Sequence, residues 1–179
     1  MTILDQIEMS PVINSNDILK LLNDNPPIIE GLLNIEEQLQ SNGIDLTVKT
    51  IASLTSSGAI GFDNKDRILS ESSPLSFNNL GFIDLTTGCY LITYNEVVHI
   101  PRNVIALGSP RSSLLRCGAS IHTAVWDAGY SGRSQSLLVV YNSKGFKLYK
   151  NAKVLQMIFL KLSHSVVQGY QGIFQKENL

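Results

Sequence analysis

The sequence predicts an all-β domain, a barrel or jelly roll, that follows a short helical N-terminal segment. Short apolar runs rich in Val, Ile, Tyr and Thr follow residue 43, and turn residues separate them. The runs are spaced as strands rather than as long helices, and no internal repeat or heptad is present. At 179 residues the chain is predicted to form a single domain over residues 1–179.

The N-terminal lead, residues 1–40, contains one predicted helix over residues 15–23. That segment begins with Ser, Asn and Asp, which can cap a helix, and then places Ile18, Leu21 and Leu22 on one face. Asn25-Pro26-Pro27 should end the helix, because proline lacks the backbone N–H that a helix needs.

The predicted strands cover most of the remaining chain. Between them, residues 55–80 are rich in Ser, Asn and Gly and predict a long excursion or irregular hairpin. Residues 169–179 are polar with two aromatic side chains and predict a flexible C-terminal tail. The strands are predicted at 44–51, 81–85, 89–93, 97–100, 104–108, 137–141, 146–148 and 154–160.

Composition indicates an ordinary globular protein with a real core, since 44% of residues are hydrophobic and 16% are charged. No apolar stretch is long enough to span a bilayer, and the N-terminus lacks the basic start and apolar centre of a signal peptide. Two cysteines, Cys89 and Cys117, form neither a disulfide framework nor a zinc site. We therefore expect a cytoplasmic protein.

Charge is distributed unevenly along the chain. Residues 1–96 hold 13 acids and 4 Lys or Arg, whereas residues 97–179 hold 2 acids and 10 Lys or Arg. A cationic half suits an anionic ligand such as polyphosphate; alternatively, the two halves interleave in space and neutralise each other. Asp127 is the one carboxylate between Glu96 and Glu177, so any acid–base carboxylate in that stretch must be Asp127.

The segment 110–116, Pro-Arg-Ser-Ser-Leu-Leu-Arg, brings two cations and two hydroxyls together directly after a predicted strand. If Ser112 begins a helical turn, its hydroxyl and the free backbone N–H groups could bind an anion. Arg111 and Arg116 could then hold phosphate oxygens with paired hydrogen bonds. An ordinary helix cap with a solvated arginine at each end is the alternative.

The segment 123–132 places Asp127 between two aromatic residues, Trp126 and Tyr130. Asp and Gly at this spacing predict a β-hairpin turn, in which Asp127 could serve the turn alone. Alternatively, its carboxylate takes a proton from water while backbone amides of the hairpin read the edge of a base.

Gln156 lies within the apolar strand 154–160 and must find hydrogen-bond partners in the core, at an interface or on a ligand.

In chain order, these segments resemble the motifs of the dUTPase and dCTP deaminase superfamily, closest to dUTPases of the deaminase-like branch. The likeness covers residues 40–179. The segments that carry it are Asn42-Gly43-Ile44-Asp45-Leu46, residues 88–93 with Glu96, Ile100-Pro101-Arg102-Asn103, and the segments 110–116, 127–132 and 154–158.

The resemblance implies a distorted jelly roll that assembles as a homotrimer, with active sites at the subunit interfaces. It implies hydrolysis of dUTP to dUMP and pyrophosphate, in which Asp127 activates water for attack on the α-phosphorus. Mg²⁺ would bind mainly to the triphosphate oxygens rather than to protein ligands. Asp45 would support the site from a distance, although a purely structural role is equally consistent. The phosphate-binding residues would be Arg111, Ser112, Ser113, Arg116 and Gln156.

The same resemblance implies how the nucleoside would bind. Tyr130 would pack against the sugar, where a ribose 2′-hydroxyl would clash, and Trp126 would lie at the base pocket. The tail would close over the nucleotide, with Phe174 stacking on the base, Tyr170 as the alternative and Gln175 beside them.

The deaminases of this superfamily use a glutamate on the strand that follows the third motif to shuttle protons, and they need no zinc. Residues 133–142 contain no acid, so the sequence favours the diphosphatase over a deaminase or a bifunctional enzyme. A trimeric nucleotide-binding regulatory protein without turnover is the alternative from another class. Asp127 argues against it, because a pure binding site has no use for an unpaired carboxylate beside phosphates.

Overall fold

The computed structural model describes residues 11–179, so the prediction about a signal peptide falls almost entirely outside the described residues. The helices are α1 (Ser15–Leu21), α2 (Ile35–Gln38) and α3 (Ser112–Arg116), with a 3₁₀ turn at Asn64–Asp66. The strands are β1 (Ile29–Glu30), β2 (Leu39–Gln40), β3 (Gly43–Leu54), β4 (Ser72–Leu75), β5 (Phe82–Leu85), β6 (Gly88–Tyr94), β7 (Val97–His99), β8 (Val104–Pro110), β9 (Ala119–His122), β10 (Ser131–Gly132), β11 (Gln135–Val140), β12 (Phe146–Tyr149) and β13 (Lys153–Lys161).

The long strand β3 organises the main sheet. Its first half pairs with β13 and its second half with β6, which gives the order β8-β13-β3-β6-β11-β9. The chain just after β9 returns to β8, where Trp126 and Ala106 form an antiparallel bridge. The sheet therefore nearly closes on itself, and the predicted all-β barrel is confirmed.

The core lies inside this curved sheet. Fully buried side chains come from its central strands, among them Leu46 of β3, Ile92 of β6, Leu138 of β11 and Phe159 of β13. Burial of each such side chain contributes about 1.5–3 kcal/mol. The close pairing of β3 with β13 also requires Gly43, because a Cβ there would collide with the carbonyl oxygen of Met157.

The predicted helix at 15–23 is confirmed as α1, which packs Ile18 into the core. Its cap is Asn14, one residue before the predicted start, whose side chain accepts a hydrogen bond from the backbone N–H of Asp17 (3.1 Å). The excursion at 55–80 is an irregular hairpin: Ala59 bridges Ile68, and β4 pairs with the end of β3.

The two oppositely charged halves of the sequence interleave in space. Arg111 pairs with Asp45, Lys147 with Asp84, and Lys153 with Glu37. The alternative of mutual neutralisation is therefore correct for part of the cationic half. No helix within residues 11–179 is both long and apolar enough to cross a membrane.

Candidate active site

Three neighbouring strands align the polar residues of one face. Gln156 of β13 lies directly opposite Asp45 of β3 on one side and Ser109 of β8 on the other. Residues that oppose each other in an antiparallel pair point to the same side of the sheet. Arg111, two residues beyond Ser109, follows on that side and reaches Asp45. We call Asp45, Ser109, Arg111 and Gln156 the cross-strand face.

An ion pair fixes the centre of the cross-strand face. Nε of Arg111 lies 3.1 Å from Oδ2 of Asp45, whose side chain is 1% exposed, and Nε2 of Gln40 donates to the same oxygen (3.2 Å). Burial raises the pKa of the Asp45 carboxyl, while the cations Arg111 and Lys153 oppose that rise. Asp45 therefore holds the Arg111 side chain in position.

Helix α3 begins at Ser112, which meets the condition stated for an anion site, and Arg111 occupies the cap position without a side-chain capping bond. Ser112 and Ser113 are exposed, and Nη1 of Arg116 donates to the carbonyl oxygen of Ser112 (3.0 Å). This short segment presents hydroxyls and guanidinium groups to solvent without an acid among them. Such a set can bind an anion.

Gln156 is half-buried, and its side-chain amide has no hydrogen-bond partner among residues 11–179. An amide in this position can still donate to or accept from a ligand. The structure thus places Gln156 beside Asp45 and Arg111 with its hydrogen-bonding capacity unused.

The Asp127 turn, residues 127–130, is closed by a hydrogen bond from the backbone N–H of Tyr130 to the carbonyl oxygen of Asp127 (3.0 Å). Gly129 adopts a φ of +86°, which favours glycine. The predicted hairpin is wrong, however, because the flanks of the turn pair with different strands: Trp126 with β8 and β10 with β7. The turn therefore bridges two sheets.

Asp127 itself is exposed, and its carboxylate makes no hydrogen bond or ion pair within the described part of the chain. The hydrogen bond that closes the turn uses backbone atoms only. The carboxylate remains available to a water molecule or a substrate.

A cavity of about 550 Å³ lies beside the Asp127 turn. Trp126, Tyr130, Tyr170 and Phe174 line it, which brings together the predicted sugar and base residues. We call it the aromatic cavity. Its apolar walls with a few polar groups suit a planar ring.

The tail, residues 169–179, packs along the Asp127 turn of its own chain. The amide of Gln175 bonds both to the N–H of Ser131 (2.8 Å) and to the carbonyl oxygen of Gly129 (2.9 Å). The ring of Tyr170 meets that of Tyr130 edge-on, with centroids 5.7 Å apart. The structure thus gives the tail one docked position, whereas the prediction was a flexible tail.

Sequence reasoning missed Glu177, which the tail carries to the aromatic cavity. The Tyr130 hydroxyl donates to Oε1 of Glu177 (2.8 Å), and burial raises the pKa of the Glu177 carboxyl. Burial and this carboxylate also raise the pKa of the Tyr130 phenol, which keeps its proton and donates. Glu177 is one of only two acids after Glu96, and that scarcity was the available signal.

The cross-strand face and the Asp127 turn are well separated in one chain. Trp126 opposes Ala106, and Ser109 and Arg111 follow three and five residues later, so their backbones lie roughly 10 and 16 Å from this bridge along the extended chain. Within one subunit, the Asp127 turn therefore does not lie next to Arg111.

The strand that would carry a deaminase glutamate, β11, has the sequence Gln-Ser-Leu-Leu-Val-Val and holds no acid. Residues 11–179 also contain no cluster of three or more His, Cys, Asp or Glu side chains that could hold a metal ion. The cations of the cross-strand face and α3 suit an anion, or a metal that arrives already bound to one.

Comparisons with known proteins agree with this picture. A family model described as dCTP deaminase-like matches residues 12–162. A protein of Methanosarcina mazei named probable deoxyuridine 5′-triphosphate nucleotidohydrolase is 48% identical over 167 residues, which cover 93% of this chain and 98% of that protein. A protein of Methanocaldococcus jannaschii named deoxyuridine 5′-triphosphate nucleotidohydrolase is 38% identical over 142 residues, which cover 78% of this chain and 88% of that protein.

Among solved structures, a 2′-deoxycytidine 5′-triphosphate deaminase from Agrobacterium tumefaciens aligns with a TM-score of 0.64 at 20% identity. The alignment covers 84% of this chain and 48% of the deaminase, so the chain spans about half the length of that protein. At this identity the match supports the fold alone. The family match and the relatives together place the chain in the dCTP deaminase-like family, among relatives named dUTP nucleotidohydrolases.

Proposed function

We propose that the chain is a dUTP diphosphatase, which hydrolyses dUTP to dUMP and pyrophosphate. The observation that carries this proposal is the exposed carboxylate of Asp127, which has no partner within residues 11–179, in a chain whose β11 lacks an acid. The first feature supplies a base for hydrolysis, and the second removes the proton shuttle that the deaminases use. The names of the relatives point to the same reaction.

Asp127 would accept a proton from water as that water attacks the α-phosphorus. The bond between the α-phosphorus and the bridging oxygen of the β-phosphate then breaks, and pyrophosphate leaves with the bond electrons. A positioned carboxylate base contributes about 10²- to 10⁴-fold to such a step. The absence of a partner for Asp127 within residues 11–179 keeps its charge available for this role.

Arg111, Ser112, Ser113, Arg116 and Gln156 would bind the triphosphate. Asp45 fixes Nε of Arg111 and leaves the other guanidinium nitrogens to the substrate. Gln156 contributes an amide that has no hydrogen-bond partner in the described part of the chain, and α3 contributes exposed hydroxyls. Such preorganised donors stabilise the charge that develops on the phosphate oxygens.

A divalent metal, Mg²⁺ in our proposal, would enter with the triphosphate. The described residues offer no ligand cluster of their own, and the cationic surroundings repel a bare metal ion. When bound to phosphate oxygens, Mg²⁺ neutralises charge and holds the triphosphate in an attackable conformation. Excess chelator should therefore abolish hydrolysis, and added Mg²⁺ should restore it.

The aromatic cavity would hold the nucleoside, with the sugar on Tyr130 and the base between Trp126 and the tail. Phe174 remains our first candidate to stack on the base, with Tyr170 as the alternative and Gln175 as the anchor of the tail. Because the tail docks on the cavity wall, it is already positioned to cover a ligand.

We further propose a homotrimer in the cytoplasm, with each active site shared between subunits. The separation of roughly 16 Å between Arg111 and the Trp126 bridge supports the shared site, because a neighbouring subunit can bring its Asp127 turn to the cross-strand face.

The test incubates the protein and Mg²⁺ with dUTP, dCTP and dTTP separately and resolves the products by chromatography. We expect dUMP and pyrophosphate from dUTP, and loss of both with Asp127→Asn. Ammonia released from dCTP would show a deaminase instead. Tight binding of dUTP without turnover would favour the non-catalytic regulatory trimer.

A further inference from the structure

A β-bulge in β13 turns Lys153 toward the cross-strand face. Gln156 opposes Asp45, and Lys153 opposes Thr47. On β13, Lys153 and Gln156 are three residues apart, whereas on β3, Asp45 and Thr47 are only two residues apart. Val154 is the extra residue, and the pairing register shifts there. Without the bulge, side chains three apart on a strand would point to opposite sides of the sheet.

The Lys153 side chain lies among the groups of that face. Its charge acts on the Asp45 carboxyl, which Arg111 also contacts. Nζ of Lys153 lies 2.9 Å from the carbonyl oxygen of Glu37 and 3.1 Å from its Oε2. Lys153 thus lies on the same face as Arg111, and Arg116 lies on the helix that follows Arg111.

The ion pair with Glu37 does not by itself explain why a lysine occupies position 153. The Glu37 side chain is 70% exposed, whereas that of Lys153 is 26% exposed. A pair with so solvated a partner contributes little to folding stability, within about 1 kcal/mol. An anion on the cross-strand face offers the ammonium group a second partner, because a compact ammonium binds phosphate as a point charge.

We propose that Lys153 is a further phosphate-binding residue, which Glu37 holds in place until the triphosphate binds. The inference rests on the proposed function, since it assigns the cross-strand face to a nucleoside triphosphate. Lys153 neutralises the triphosphate together with Arg111 and Arg116, and it makes no contact with the base or the sugar.

The test separates the cation from its ion pair with two variants. Lys153→Gln removes the cation and the pair, whereas Glu37→Gln removes the same pair and keeps the cation. Binding of inorganic tripolyphosphate, which has neither base nor sugar, is measured by calorimetry, and KM and kcat are measured with dUTP. Lys161→Gln, at the exposed far end of β13, is the matched control for lost positive charge.

We expect Lys153→Gln to weaken tripolyphosphate binding and to raise KM about tenfold while kcat is retained. Glu37→Gln should bind tripolyphosphate at least as tightly as the wild type, because it keeps the cation and loses the competing carboxylate, whereas Lys161→Gln should leave both quantities unchanged. Equal losses in Lys153→Gln and Glu37→Gln would assign the effect to the ion pair and overturn the proposal. So would unchanged binding in Lys153→Gln, or a wild-type protein that binds no tripolyphosphate. If the protein binds tripolyphosphate but does not hydrolyse dUTP, the proposed function is wrong. The calorimetric comparison of the variants then still tests whether Lys153 binds phosphate.

Discussion

Arg111 of the cross-strand face lies roughly 16 Å from the Trp126 bridge beside the Asp127 turn, and the charged groups of the face and of the turn are held differently. In the face, the buried carboxylate of Asp45 forms an ion pair with Arg111, and the side-chain amide of Gln40 donates a hydrogen bond to that carboxylate. In the turn, the Asp127 carboxylate is exposed and has no partner among residues 11–179. This difference underlies our proposal that the cross-strand face binds the triphosphate and that Asp127 acts as the base.

Asp127→Asn tests the chemical half of this comparison and should have the largest effect. Removal of the base should lower kcat about a thousandfold, while KM changes little because the phosphate contacts remain. Steady-state kinetics with dUTP and Mg²⁺ measure both constants. A kcat close to that of the wild type would mean that Asp127 serves the turn alone.

Arg116→Ala tests the binding half. Loss of a charge-assisted phosphate contact should raise KM about tenfold or more. The same kinetic assay applies, with Arg67→Ala as the control, because this half-buried arginine lies in the 55–80 excursion, outside the cross-strand face and α3. If KM and kcat are both unchanged, α3 does not bind phosphate.

Gly43→Ala tests whether the face depends on the close pairing of β3 with β13. The added Cβ meets the carbonyl oxygen of Met157, which is backbone and cannot move aside cheaply. The free energy of unfolding should fall by about 2 kcal/mol. Chemical denaturation measures this, with exposed Ser41→Ala as the control, and an unchanged midpoint would contradict the account.

Docking of the tail, residues 169–179, should depend on pH, and this effect should be smaller than those above. Because docking raises the pKa of Glu177 above its ordinary value of 4.5, the docked tail holds that proton more tightly than a free tail does. Docking is therefore most favourable below pH 4.5 and weakens as the pH rises through the raised value. The Tyr130 hydroxyl donates a hydrogen bond to this carboxyl, and that bond opposes the rise in its pKa.

Fluorescence of Trp126, the single tryptophan, reports on the aromatic cavity that the tail covers. We expect a pH-dependent change in the wild type that Glu177→Gln removes. An identical titration in both proteins would show that another group causes it.

Much of this architecture could be predicted from the sequence. Long apolar strands such as β3 and β13 bury enough apolar surface to be stable whichever strands they pair with. Two-residue strands such as β1 and β10 carry too few side chains for a pattern. The contact between Asp45 and Arg111 depends on which distant strands become neighbours, which periodicity does not specify.

The candidate site shows the same limit. Residues Arg111–Arg116, Asp127 and Gln156 could be selected from residue chemistry and family resemblance. Lys153 could not, because a single extra residue at the bulge decides the side on which it lies. Nor could Glu177, because its position depends on how the tail packs against the Asp127 turn.

The claim that one active site joins the face of one subunit to the turn of another has a direct test. Two impaired proteins, Asp127→Asn and the double variant Arg116→Ala/Gln156→Ala, are unfolded, mixed in equal amounts, refolded together and assayed at dUTP concentrations well below the wild-type KM. If the site is shared, random assembly should restore about a quarter of the wild-type dUTP hydrolysis, since each site then draws its two halves independently. If both halves act within one chain, the mixture will stay as inactive as its components, and the account is contradicted.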